Sequence, residues 1–172
     1  MKLMKVIGVV TACLLLSSCL PPVYESLPES NNTAALFLSG HSTYSSVGQI
    51  YSNAQTCAGR KWVYGGIAGA PKWINVNGGL PVTISISVGT GTTVVGSNIV
   101  NHTCTAMATF TPTSGKRYMA QAITADGISR CGMVVNEVGP DGQDAGRVAV
   151  TQRLFKLAET EHSSWCKPLQ AP

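Results

Sequence analysis

The chain has 172 residues, which sets a single domain as the expectation. Lys and Arg exceed Asp and Glu by four, yet charged residues make up only 12% of the chain, about half the usual share. That balance excludes the basic stripe of a nucleic-acid binder, and 44% apolar content at low net charge excludes a disordered chain.

The chain opens with Lys2 and Lys5, and Val6 to Leu16 then runs for 11 residues without a charge. This matches the apolar core of a secretory signal peptide and falls short of the roughly 20 residues a membrane-spanning helix needs. Leu16-Ser17-Ser18-Cys19 follows directly. A leucine and two small residues before a cysteine resemble the lipobox of bacterial lipoproteins. The resemblance implies a diacylglyceryl group on the Cys19 thiol and cleavage just before it, with residues 1–18 removed as signal peptide. Three acyl chains, as that family carries, make a permanent anchor, because each buried CH₂ contributes about 0.8 kcal/mol. Val10-Thr11-Ala12-Cys13 is a degenerate alternative, preceded by an apolar run of only about seven residues. Leu20 stands where an Asp would imply inner-membrane retention, so the same resemblance implies an outer-membrane lipoprotein facing the periplasm. Without its leader the chain has 154 residues, with 10 basic and 8 acidic side chains.

Leu20 to Thr33 holds three prolines and no periodicity, and residues 19–33 read as the lipidated terminus and a flexible tether. Ala34 to Leu38 is a first strand. His41 to Ala54 is polar, with Val47, Ile50 and Tyr51 at helical spacing, and predicts one short helix. Lys61 to Tyr64 and Lys72 to Val76 predict strands around the bend Gly65 to Gly69. In Val82 to Val88, valine and isoleucine alternate with serine and threonine, the pattern of a half-buried strand. Gly89-Thr90-Gly91 breaks it as a turn, and Thr92 to Val95 resumes pairing.

His102 to Thr111 alternates again, Pro112 to Gly115 turns, and Arg117 to Thr124 returns, which predicts a hairpin. Asp126-Gly127 turns the chain into Ser129 to Val135. Gly139 to Gly142 is a loop, and Arg147 to Phe155 a last strand. These elements predict a mainly β fold, a small antiparallel sandwich or barrel over residues 34–172. The stretch from Phe110 to Tyr118, followed by Cys131, is similar to hairpins in transthyretin-like sandwiches of some envelope lipoproteins.

Besides Cys13 and Cys19, four cysteines remain, and an even number outside the cytoplasm points to disulfides. The favoured pairing is Cys104 with Cys131, both near strand starts, and Cys57 with Cys166, which ties down a polar tail. No CxxC pair supports a zinc or redox site.

No cofactor or metal is expected. His41, His102 and His162 form no pair at metal-ligand spacing, and no G-x-S-x-G elbow accompanies them. Asp141, Gln143 and Asp144 lack the spacing of a calcium loop. Gly89-Thr90-Gly91 lacks the Gly-Lys-Ser/Thr ending of a phosphate loop. Trp62, Tyr64 and Trp73 beside Arg60, Lys61 and Lys72 form the candidate binding surface, since aromatics carry interface energy efficiently. The expected function is a membrane-anchored, non-enzymatic envelope module that binds another protein of that compartment. One alternative is an inhibitor or immunity lipoprotein that inserts the loop Asn136 to Gly146 into an enzyme cleft. A hydrolase of cell wall or glycan is a further alternative and requires convergent ionisable groups.

Overall fold

The computed structural model describes residues 22–40, 45–95, 98–125, 130–160 and 163–167. Ten strands follow one another: β1 (Thr33–Ser39), β2 (Ser45–Asn53), β3 (Ala58–Tyr64), β4 (Trp73–Asn77), β5 (Val82–Val95), β6 (Asn98–Phe110), β7 (Arg117–Ala125), β8 (Arg130–Val138), β9 (Asp144–Arg147) and β10 (Thr151–Gln152). They build two five-stranded sheets in the orders β4-β1-β7-β8-β9 and β3-β2-β5-β6-β10. Pairing is antiparallel except between β1 and β7.

The alternation in β5 does what its period requires. Val82, Ile84, Ile86 and Val88 face the other sheet and are buried against Leu36, Leu38, Ala120, Met133 and Val135. Each such aliphatic side chain contributes about 1.5–3 kcal/mol through removal from water. Gly89 to Gly91 is not a turn. It is a shift of register within one continuous strand, and β5 and β6 stay paired out to Val95 and Asn98. Beyond the last β2 partner at Gly89 this ribbon continues for six residues, roughly 20 Å.

The helix expected over His41 to Ala54 is a strand where it is described, β2, and residues 41–44 lie outside the described residues. Among the described residues, helix is confined to a single turn, Gly66–Ala68. The helical spacing misled because both faces of β2 are covered. Ile50 enters the main core, while Gln49 and Tyr51 are buried on the opposite face. A strand buried on two sides loses its period of two.

The hairpin expected around Pro112 to Gly115 is an arch between sheets. β6 pairs with β5 and β10, whereas β7 pairs with β1 and β8. Phe110 and Tyr118, at the feet of the arch, meet edge to face across the core with ring centres 5.5 Å apart. The Tyr118 hydroxyl accepts a hydrogen bond from the Thr113 amide at 2.9 Å. The resemblance to transthyretin-like hairpins therefore does not extend to strand pairing here. The Arg147 to Phe155 strand is likewise divided. β9 ends on one sheet, Val148 and Val150 pack on the core as the chain crosses, and β10 joins the other sheet.

The flexible-tether reading fails from Pro22 onward. Pro22 to Leu27 is stitched along the open side of the sandwich, first to β3 and then to β4. Trp62 donates its amide to the Pro22 carbonyl at 2.9 Å, and Tyr24 donates to the Trp62 carbonyl at 2.8 Å. The Leu27 amide and the Tyr24 hydroxyl both reach the Asn75 carbonyl, and the Asn75 amide donates to Ser26 Oγ. Two sheet edges that would otherwise expose unpaired amides are covered in this way.

Both expected disulfides are present. Cys104–Cys131 joins β6 to β8 across the two sheets, and Cys57–Cys166 ties the β2–β3 turn to the tail. Cys57 has a φ of 53°, the left-handed region that side chains usually avoid. The tail lies on the outer face of the second sheet. There Tyr51, Met107, Phe155 and Trp165 form a second apolar cluster around the bridge. Arg60 stacks on Trp165 at 3.7 Å, and buried Arg153 donates to the Gln55 carbonyl and to Cys166 Sγ. Burial lowers the pKa of Arg153 from its ordinary value.

Candidate binding face

The three aromatics expected to share a surface are separated by the fold. Tyr64 is a core residue, buried against Gly48, whose missing side chain makes room for its ring. An added Cβ at Gly48 would overlap Tyr64 ring carbons and press on Leu38. Gly48→Ala is expected to lower stability by about 1–3 kcal/mol through overpacking, read from the urea midpoint. An unchanged midpoint would show that the ring relocates freely. Trp62 is half buried on β3, with its ring against Gly66, whose φ of 52° also favours glycine.

Trp73 alone of the three is exposed, and it stands on the other sheet. On the outer face of β4-β1-β7-β8, Trp73, Phe37, Met119 and Asn136 occupy one row across the register. Asn75, Ala35, Arg117 and Val138 occupy the next. The Phe37 and Trp73 rings are 5.4 Å apart, and the Arg117 guanidinium lies 4.4 Å from the Trp73 ring centre. Trp73, Met119 and Ile123 remain 38%, 37% and 50% exposed, so this face is uncovered whereas the outer face of the partner sheet is roofed by the tail.

A groove of about 320 Å³ borders the row, lined by Glu29, Thr33, Trp73, Asn75, Lys116 and Arg117. Lys116 donates to Glu137 at 2.7 Å, and this pairing raises its pKa above the ordinary lysine value. An exposed tryptophan held by an arginine, with flanking apolar side chains, is the composition of a protein-interface hot spot.

Phe37, Met119 and Arg117 did not emerge from the sequence as site residues. The available signal was Tyr118 to Ile123, where apolar residues occupy both alternating sets instead of one.

The loop Asn136 to Gly146 is mostly a tight hairpin. Gly139 and Gln143 close it with an amide-to-carbonyl bond of 2.8 Å. Asp141 accepts from the Gln143 amide, and Asp144 accepts from Gly146 N and Asn136 Nδ2. Those carboxylates are thus engaged within the hairpin, and among the described residues no three His, Cys, Asp or Glu converge as a metal site. His41, His162 and Cys19 lie outside the described residues, and His102 falls in β6. Glu29 is the single carboxylate that lines the groove beside Trp73.

Burial raises the pKa values of Tyr24 and Tyr64 above 10.0, and the Tyr64 hydroxyl is buried without a hydrogen-bond partner among the described residues. Above pH 10 the folded phenols keep protons that the unfolded chain releases. Their contribution to stability is therefore complete below pH 10 and is lost as pH rises through the folded values. In Tyr64→Phe the alkaline decline in denaturation midpoint should be shallower than in the parent, and an equal slope would refute this origin.

The fold and face define a disulfide-linked β-sandwich that presents one bare, aromatic-lined sheet. Comparison with protein-family models, with curated proteins and with solved structures finds no match.

Proposed function

We propose that this chain is a membrane-anchored envelope lipoprotein that works as a binding module, with the outer face of β4-β1-β7-β8 as its contact surface for another envelope protein. The uncovered row of Trp73, Phe37 and Met119, clamped by Arg117, carries the reading. A strand with apolar residues on both faces needs cover on both, and this one has it on only one. Two disulfides fit an oxidising compartment, and the lipobox supplies the anchor.

The test is photocrosslinking in intact producing cells, with a benzoylphenylalanine placed at Gln121 in the middle of the face. The expected result is a discrete adduct with one protein, reduced at least tenfold by Trp73→Ala, the loss that about 1.4 kcal/mol of binding energy represents. Thermal stability of Trp73→Ala should fall only modestly, since the ring lies outside the core on the outer face and gives up its contacts with Phe37 and Arg117. No adduct, or an adduct indifferent to Trp73→Ala, would end the proposal.

The inhibitor reading has one observation in its favour. The hairpin from Gly139 to Arg147 is exposed and internally hydrogen bonded, hence preorganised. If a lytic enzyme of the envelope is inhibited, replacing Gly139–Gly142 by a short turn should abolish the effect, and retention of inhibition would remove this alternative.

A further inference from the structure

The docked segment Pro22 to Leu27 has a consequence for how the molecule stands on a membrane. If Cys19 carries the lipid, as proposed above, only three peptide units separate it from Pro22, and covalent geometry limits that span to about 11 Å. Pro22 is in turn held by its carbonyl to the Trp62 amide, and Val23 bridges β3 in parallel. The attachment point therefore lies within about 11 Å of the flank that holds Pro22, too short a reach to bring the opposite flank to the membrane surface. Five strands at about 4.8 Å spacing put the opposite flank roughly 19 Å further off.

We propose that the β3–β4 flank is a lipid-facing surface that rests on the phospholipid headgroups. This rests on the lipoprotein reading and adds an orientation to it. The surface near the attachment point suits such an environment. Val23 is exposed beside Trp62, and a cleft of about 200 Å³ on the same side is lined by Tyr24, Lys61, exposed Leu80 and Pro81. An amphipathic tyrosine, a cation and exposed aliphatic groups are the side chains that interfacial regions accommodate. Lys61 would lie close to the phosphates, within about the 8 Å over which charges are felt at physiological salt. The sheet faces then stand upright from the membrane, so the row begins at Trp73 on the membrane-side strand and runs away from the lipid through Phe37 and Met119 to Asn136, whose end is open to a partner in the aqueous space.

The experiment uses the mature, lipidated chain in phospholipid nanodiscs that contain a headgroup-chelated gadolinium lipid, with amide relaxation read by NMR. Val23, Tyr24, Lys61 and Trp62 should relax several-fold faster than Asp144 and Arg147 on the far flank. A flexible Gly-Ser insert of about 20 residues after Leu20, with a reach of roughly 25 Å, should even out the two flanks. Mass spectrometry of the amino-terminal peptide separates the two claims. A lipid-bearing Cys19 with equal relaxation on both flanks overturns the orientation alone. A Cys19 without lipid in the producing cell overturns the anchoring and the orientation with it.

Discussion

The double replacement Cys57→Ala with Cys166→Ala should lower unfolding free energy by about 4–5 kcal/mol. The bridge spans 109 residues, and closure of a loop that long removes about 4.8 kcal/mol of chain entropy from the unfolded state. The Cys104–Cys131 bridge spans 27 residues and corresponds to about 3.5 kcal/mol. The native state adds to the difference. Cys57–Cys166 clamps the tail whose Trp165 and Phe155 cover Tyr51 and Met107, and release of that tail exposes the second apolar cluster. Denaturant titration of the two double variants should therefore rank them in that order. Hydrogen exchange should show early loss of protection at Lys156 and Trp165, whose amides bond to Trp165 and Cys57 carbonyls, in the Cys57/Cys166 variant only. A smaller loss for that variant than for Cys104→Ala with Cys131→Ala would mean that the tail contributes nothing and that the unfolded chain is already compact.

Leu36→Ala is expected to cost about 3–4 kcal/mol. Leu36 is fully buried on β1, paired with Ile74 on one neighbour and Tyr118 on the other. β1 forms the single parallel junction of its sheet, so the side chain is enclosed by both neighbours and by the facing sheet. Truncation of an enclosed leucine forfeits its transfer free energy and leaves a cavity that such surroundings fill poorly. Leu154, which is exposed, supplies the control, and Leu154→Ala should change stability by less than about 0.5 kcal/mol. A cost below about 2 kcal/mol at Leu36, with unchanged dependence on urea, would show that the two sheets close over the gap.

Several features were legible residue by residue. The alternation of Val82 to Val88 announced a strand with one face in the core, and four inward side chains follow it. The pairings expected from Cys104 and Cys131 in strands and from a polar tail at Cys166 are present, although Cys104 lies in the middle of β6, which begins at Asn98, and only Cys131 is near a strand start. The candidate surface was legible only at Trp73. Tyr64 and Trp62 share its composition and neighbourhood in the chain, yet one fills the space left by Gly48 and the other lies over Gly66.

The amino-acid order by itself determined the β class, the main strand positions, the inward set of β5 and the means of cross-linking, because these depend on neighbours one or two residues apart and on cysteine chemistry. Tertiary structure alone decided that β6 and β7 part at an arch, that β2 is a strand, that Pro22 to Leu27 seals an edge and that the tail roofs one sheet while the other stays bare. The physical reason is common to all four. A local pattern reports how many sides of a segment are removed from water, but what removes them is a segment distant in sequence. Pro112 to Gly115 turns the chain equally well within a sheet or between two, and the choice falls to the burial of Phe110 against Tyr118.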